Sequence, residues 1–191
     1  MKSTNTSPLP RSISSIFPNR IAGNVAEVAF LLILGMLAIA IHAKLRIPMQ
    51  LPGRQGIIFL TIIILARGWS RFPFAATIAC AGSAILLATS WLGFREPLMP
   101  VTYILIGVFL DLLFLGFRKI TPFVMATALS CAIGWMSIPL IKFFIASFTG
   151  LLFTSFRFGL GWPVMTHIIF GFAGGLLGAS ILKLSSHLQK K

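Results

Sequence analysis

Long apolar runs, separated by short segments rich in charge, Pro and Gly, dominate the chain from residue 22 onward and predict membrane helices. Six of them read as spans, at residues 22–43, 56–70, 73–91, 98–117, 121–141 and 161–184. At a rise of about 1.5 Å per residue, about 20 residues cross a hydrocarbon core about 30 Å thick, so five runs have the length to span. The second has an apolar core of only residues 57–66 and predicts a tilted or partly re-entrant helix that reaches the interface through Gly68 and Trp69. Residues 142–160 continue apolar and aromatic without a clear break; they would extend the fifth span, lie flat at the interface or form a short further helix. The pattern therefore predicts an all-α integral membrane protein of about six transmembrane helices. Residues 1–20, polar and rich in Ser and Pro, read as a disordered cytoplasmic tail, 21–185 as the membrane domain and 186–191 as a basic cytoplasmic tail. The first run exceeds the apolar core of a signal peptide, about 7 to 15 residues, and is expected to remain as a helix.

Composition agrees. Of 191 residues 57% are apolar and 10% charged, with a mean hydropathy of +0.97. A soluble domain keeps roughly a quarter of its residues charged, so this chain could not cover its own surface in water. Sixteen Lys and Arg stand against three acids, Glu27, Glu96 and Asp111, for a net charge of +13. The cations are scattered singly or in pairs between apolar runs, as in membrane proteins, which sets nucleic acid aside as a partner. Three carboxylates cannot build a carboxylate-rich metal cage or offer much choice of acid and base. No Walker-type phosphate loop, HExxH or CxxC occurs, so no cofactor or metal is expected and the chain does not read as an enzyme. Cys80 and Cys131 fall inside apolar runs and read as buried thiols.

Charge also sets the expected orientation. With the N-terminus inside, the cytoplasmic side receives Lys2, Arg11, Arg20, Arg67, Arg71, Arg118, Lys119, Lys183, Lys190 and Lys191, and the outer side Lys44, Arg46, Arg54, Arg95, Lys142 and Arg157. Ten against six favours both termini in the cytoplasm of a multi-pass inner-membrane protein. In that arrangement His42, Trp91, Tyr103, Trp162 and His167 gather toward the outside. They form either an aromatic, basic pocket for a small anionic or heteroaromatic solute or an anchoring belt at the lipid interface.

Three further features bear on chemistry. The outer loop over residues 43–56, AKLRIPMQLPGRQG, is barred from regular helix by Pro48 and Pro52 and shaped by Gly53 and Gly56. Folded inward, Arg46, Gln50, Arg54 and Gln55 would bind a carboxylate, phosphate or amide; left outward, its cations would touch only lipid phosphate. Asp111 lies deep in the fourth run, where a carboxylate is costly and needs a partner: it would pair with His167, bind a ligand donor or orient its helix against neighbours. Gly171, Gly174, Gly175 and Gly178 give the sixth run two small-xxx-small pairs for close helix packing, and Ala22 and Ala26 open the first run with another that would receive a second membrane subunit.

The run LAIAIHAKLRIPMQLPGRQGIIFLTIIILARGWSRFPFAATIACAGSAILL, followed by REPLMPVTYILIGVFLDLL and closed by HIIFGFAGGLLGASILK, resembles the substrate-capture (S) components of energy-coupling factor transporters. The shared features are a basic, Pro-rich loop after the first span, Pro73 with Ala75 and Ala76 opening the third, Gly107 to Asp111 in the fourth and a Gly-rich last helix. The resemblance implies capture of a vitamin or similar solute in an outward-facing pocket capped by the first loop. It also implies docking to a transmembrane coupling subunit, with two cytoplasmic ATPases, through small residues such as Ala22 and Ala26. On that reading Arg46, Gln50 and Arg54 close over the ligand, Trp91, Tyr103 and Trp162 supply stacking surface, and His167 and Asp111 fix its orientation. The alternative is a non-catalytic accessory or scaffold subunit of a larger membrane complex, with the Gly-rich sixth helix and the aromatic outer surface as contact faces.

Overall fold

A computed structural model describes residues 19–45, 51–89, 91–93, 96, 98–117, 121–150, 156 and 159–188. These residues form six α-helices and no strand: α1 (Arg20–Lys44), α2 (Gly56–Gly68), α3 (Ala75–Ala88), α4 (Met99–Phe117), α5 (Phe123–Thr149) and α6 (Gly161–Leu188). Local chemistry sets several of the ends. The Asn19 side chain accepts a hydrogen bond from the Ile21 amide at 2.9 Å and caps α1, while Gly150, at φ 69°, closes α5 in the left-handed conformation that glycine tolerates.

Four of the helices, α1, α4, α5 and α6, are long and apolar enough to cross a bilayer, and the chain is a membrane protein. The remaining two are shorter: α2 as its apolar core of residues 57–66 predicts, and α3 against the expectation that its run has the length to span. The run over 73–91 yields only the 14 residues of α3. Pro73 and Phe74 belong to the preceding turn, and the far end stops at Thr89, whose hydroxyl bonds the Leu86 carbonyl at 2.6 Å. The 13-residue α2 is shorter still. Conversely, α5 continues past Pro139 to Thr149, so the first part of 142–160 extends the fifth helix, and α6 runs to Leu188, beyond the expected boundary at 185.

The helices close in the order α1, α3, α4, α5, α6, α2, with α2 also touching α3 and α5. This surrounds α2 and explains why it is so apolar: Phe59, Leu60, Ile63 and Ala66 are fully buried. Lipid supplies no hydrophobic force between helices, so contact must come from close packing and interhelical hydrogen bonds. Gly35 and Gly82 lie directly against the backbone of Ala79 and Leu32, where a methyl group would have no room. Across that α1–α3 crossing, Ser83 donates to the Gly35 carbonyl at 2.6 Å, a bond of a kind worth ~0.6 kcal/mol inside a membrane. The glycines of α6 divide between two neighbours: Gly171 and Gly175 face Cys131, Ala132 and Ala128 of α5, while Gly174 and Gly178 face Ile57 and Ile64 of α2. The close-packing face of α6 is thus occupied within the bundle. Ala22 is exposed and Ala26 half-buried on the uncovered side of α1, and both cysteines are buried free thiols.

One detail of this packing creates the site. Gly174 stands at the middle of α6 and meets the backbone of Gly56 and Ile57, whereas Gly68 meets Leu182 near the far end of α6. Hence α2 fills only one half of the bundle. In the other half its place is taken by the segment that precedes it.

Candidate functional site

That segment, residues 51–55, folds over a cavity of about 270 Å³. Its walls come from four helices: His42 at the end of α1, Met99, Thr102 and Tyr103 at the start of α4, Trp135, Ile138 and Lys142 on α5, and His167 on α6, with Glu96 at the rim. Gly53 is the pivot of the cover. Its φ of 77° is a backbone state that favours glycine, and a Cβ there would lie 2.8 Å from the His167 ring. Its carbonyl accepts a hydrogen bond of 3.0 Å from the Trp135 indole nitrogen. Gln55 reaches back to the Leu45 carbonyl at 3.5 Å and ties the two ends of the loop together. Tertiary contacts therefore hold the cover where no regular element could.

Beneath it the walls are aromatic. Trp135 stacks on Phe59 with ring centroids 5.5 Å apart, Tyr103 packs edge-on to Phe59 at 5.0 Å, and His167 lies 6.0 Å from Trp135. Such pairs fix one another's orientation.

The charges of the lining differ in how they are matched. Lys142 donates to both carboxylate oxygens of Glu96, at 2.9 and 2.7 Å. Arg54 also lines the cavity, and its Nε is buried with no hydrogen-bond partner among the described residues. A buried guanidinium nitrogen without an acceptor is unfavourable until something supplies one. The start of α2 adds to this: Gln55 at its N-cap lines the cavity and makes no side-chain cap, so the positive end of the α2 dipole lies beside Arg54.

Of the residues singled out from sequence, His42, Arg54, Gln55, Tyr103 and His167 come together here. Arg46 and Gln50 lie outside the described residues. Trp91, 83% exposed, and Trp162, 48% exposed, do not line the cavity; they sit at helix ends on the surface, where amphipathic rings anchor at a lipid interface. Asp111 belongs elsewhere too and does not pair with His167. It accepts hydrogen bonds from the Thr77 amide and hydroxyl, each at 2.8 Å, and from the Ala76 amide at 3.4 Å, and it pairs with Arg67 at 3.3 Å. Since α3 has no side-chain cap of its own, Asp111 caps it from α4. Arg67 in turn lies 3.9 Å over the Phe114 ring. Glu27 acts likewise, accepting from Ser70 at 2.7 Å and from the Arg71 amide at 2.6 Å to hold the α2–α3 turn.

Trp135 is among the site residues that the sequence reading passes over, with Met99, Thr102 and Ile138. A Trp in the middle of an apolar run reads as core, and the one signal was its indole N–H, which needs an acceptor that a membrane helix lacks. Among the described residues no group of three or more His, Cys, Asp or Glu side chains gathers to hold a metal ion. Compared with known protein families, curated proteins and solved structures, the chain matches none.

Proposed function

We propose that the protein is the solute-capture subunit of an uptake transporter of the energy-coupling factor kind, binding a small anionic solute beneath the loop that follows α1. The observation that carries this reading is the covered aromatic cavity with the unmatched Arg54 Nε in its lining. Its volume equals about nine waters at ~30 Å³ each, enough for a small organic acid. The distribution of Lys and Arg supports an inner-membrane protein with both termini in the cytoplasm and the cavity in the outer half. Six crossings would follow if α2 and its preceding segment cross the bilayer together. Delivery would require a transmembrane coupling subunit and two cytoplasmic ATPases, since the chain has no phosphate loop, and the uncovered face of α1 around Ala22 and Ala26 is a surface for the first. The alternative is a non-catalytic accessory subunit of a larger membrane complex: the glycines of α6 face α2 and α5 and are not free for it, whereas the exposed Trp91 and Trp162 give it an aromatic surface. Calorimetry of the purified protein against a panel of vitamins and organic anions should give saturable binding, and Arg46→Ala with Arg54→Ala should abolish uptake in cells. No binding across the panel, together with unchanged uptake in the double variant, would remove the proposal.

A further inference from the structure

Resting on that reading, we infer that the cavity selects monoanions and that Glu96 is the residue that enforces the limit. The described charges of the lining are Arg54, Lys142 and Glu96, which leave one net positive charge. Lys142 is already engaged by both oxygens of Glu96, so it is not available to a ligand without breaking that pair. Arg54 is the group whose buried Nε lacks an acceptor, and the uncapped start of α2 lies next to it. A single carboxylate satisfies Arg54 and leaves Glu96–Lys142 intact. A second carboxylate would either sit unpaired beside Glu96 or displace it from Lys142, and both are unfavourable, the first by like-charge repulsion and the second by loss of an existing pair.

Glu96 thus acts as a counter-charge that spends one of two cations in advance. The pair is partly exposed, at 42% for the Glu96 side chain and 21% for Lys142, so the effect is expected to be moderate and sensitive to salt.

The test uses the full chain in lipid nanodiscs and four ring compounds of similar size: benzoate, terephthalate, benzamide and 4-(aminomethyl)benzoate, followed by calorimetry. Wild-type protein should bind benzoate better than terephthalate, benzamide or the zwitterion. Glu96→Gln should shift the terephthalate-to-benzoate affinity ratio toward the dianion by about threefold, which corresponds to about 0.7 kcal/mol. Glu96→Gln with Lys142→Met restores one net positive charge and should return the ratio to the wild-type value. In about 1 M salt, where the Debye length is ~3 Å, the shift should shrink. If terephthalate or the zwitterion binds wild type as well as benzoate, or Glu96→Gln leaves the ratio unchanged, the monoanion rule is overturned while solute capture stands. If none of the four binds while other anions of the vitamin panel do, the rule is overturned for ring carboxylates. If nothing binds at all, capture falls with it. Helix content by circular dichroism, unchanged in all variants, assigns a shift in ratio to charge instead of misfolding.

Discussion

The two ends of the bundle use the same scarce resource, charge in an apolar chain, in opposite ways. At the α2–α3 end, Glu27 and Asp111 are buried, and their carboxylates hold backbone amides, hydroxyls and the Arg67 guanidinium. At the α1–α2 end, the charges surround a cavity, Glu96–Lys142 is partly exposed and Arg54 keeps a nitrogen without an acceptor. The first arrangement fixes the shape of the protein and the second leaves something for a ligand to complete. With so few acids in the chain, the role of each is read from what it touches and not from its depth.

This contrast can be broken from either side. The largest effect is expected at the α2–α3 end. Asp111→Ala leaves a buried Arg67 without its carboxylate and removes the cap of α3, and removing one partner of a buried pair costs about 3–5 kcal/mol. Thermal unfolding in detergent should show a severe loss of stability, with Asp111→Asn intermediate because its amide oxygen can still accept from the α3 amides. If Asp111→Ala unfolds like wild type, the carboxylate does not organise that end.

Gly175→Leu comes next. The new side chain would meet Ala128 and Cys131, where a Cβ alone already lies 2.7 Å from Cys131 Cβ. Overpacking of this kind costs about 1–3 kcal/mol, visible as a lower melting temperature without any partner present. A similar loss, about 1–3 kcal/mol, is expected for Gly53→Ala, which adds a methyl group against His167 to a left-handed backbone. It should also weaken solute binding, because it lifts the cover. Trp135→Phe keeps the ring stacking on Phe59 but loses the bond to Gly53, for about 0.5–1.5 kcal/mol. A cover indifferent to both changes would have to be held by something other than the Gly53 contacts.

How far the sequence reached differs along the same axis. The apolar runs and their Pro and Gly punctuation made all six helices legible, because burial in lipid demands helix wherever water is excluded. Their lengths were less legible. The run at 73–91 shrinks to 14 residues because Pro73 and Phe74 belong to the preceding turn and the far end stops at Thr89, whose hydroxyl bonds the Leu86 carbonyl. The shaped loop after α1 was visible in Pro48, Pro52 and Gly53, and so was Arg54. The partner of Asp111 was not, since capping a helix from a neighbour depends on how α3 and α4 cross. Trp91 and Trp162 carried the same chemistry as Trp135 yet lie at the surface, because residue type alone does not distinguish a ring that faces lipid from one that faces a cavity.

The central claim is that the cavity under residues 51–55 binds an anion through Arg54. It is tested most directly by titrating the solute that binds wild type best into two variants that damage one cavity by different physics: Arg54→Ala, which removes the charge, and Thr102→Phe, which fills the space. Arg54 holds no described hydrogen-bond partner at Nε, so Arg54→Ala should leave the melting temperature within the range of a surface change, about 0.5 kcal/mol. Both variants should lose at least tenfold in affinity while remaining folded. Wild-type affinity in both would contradict the account.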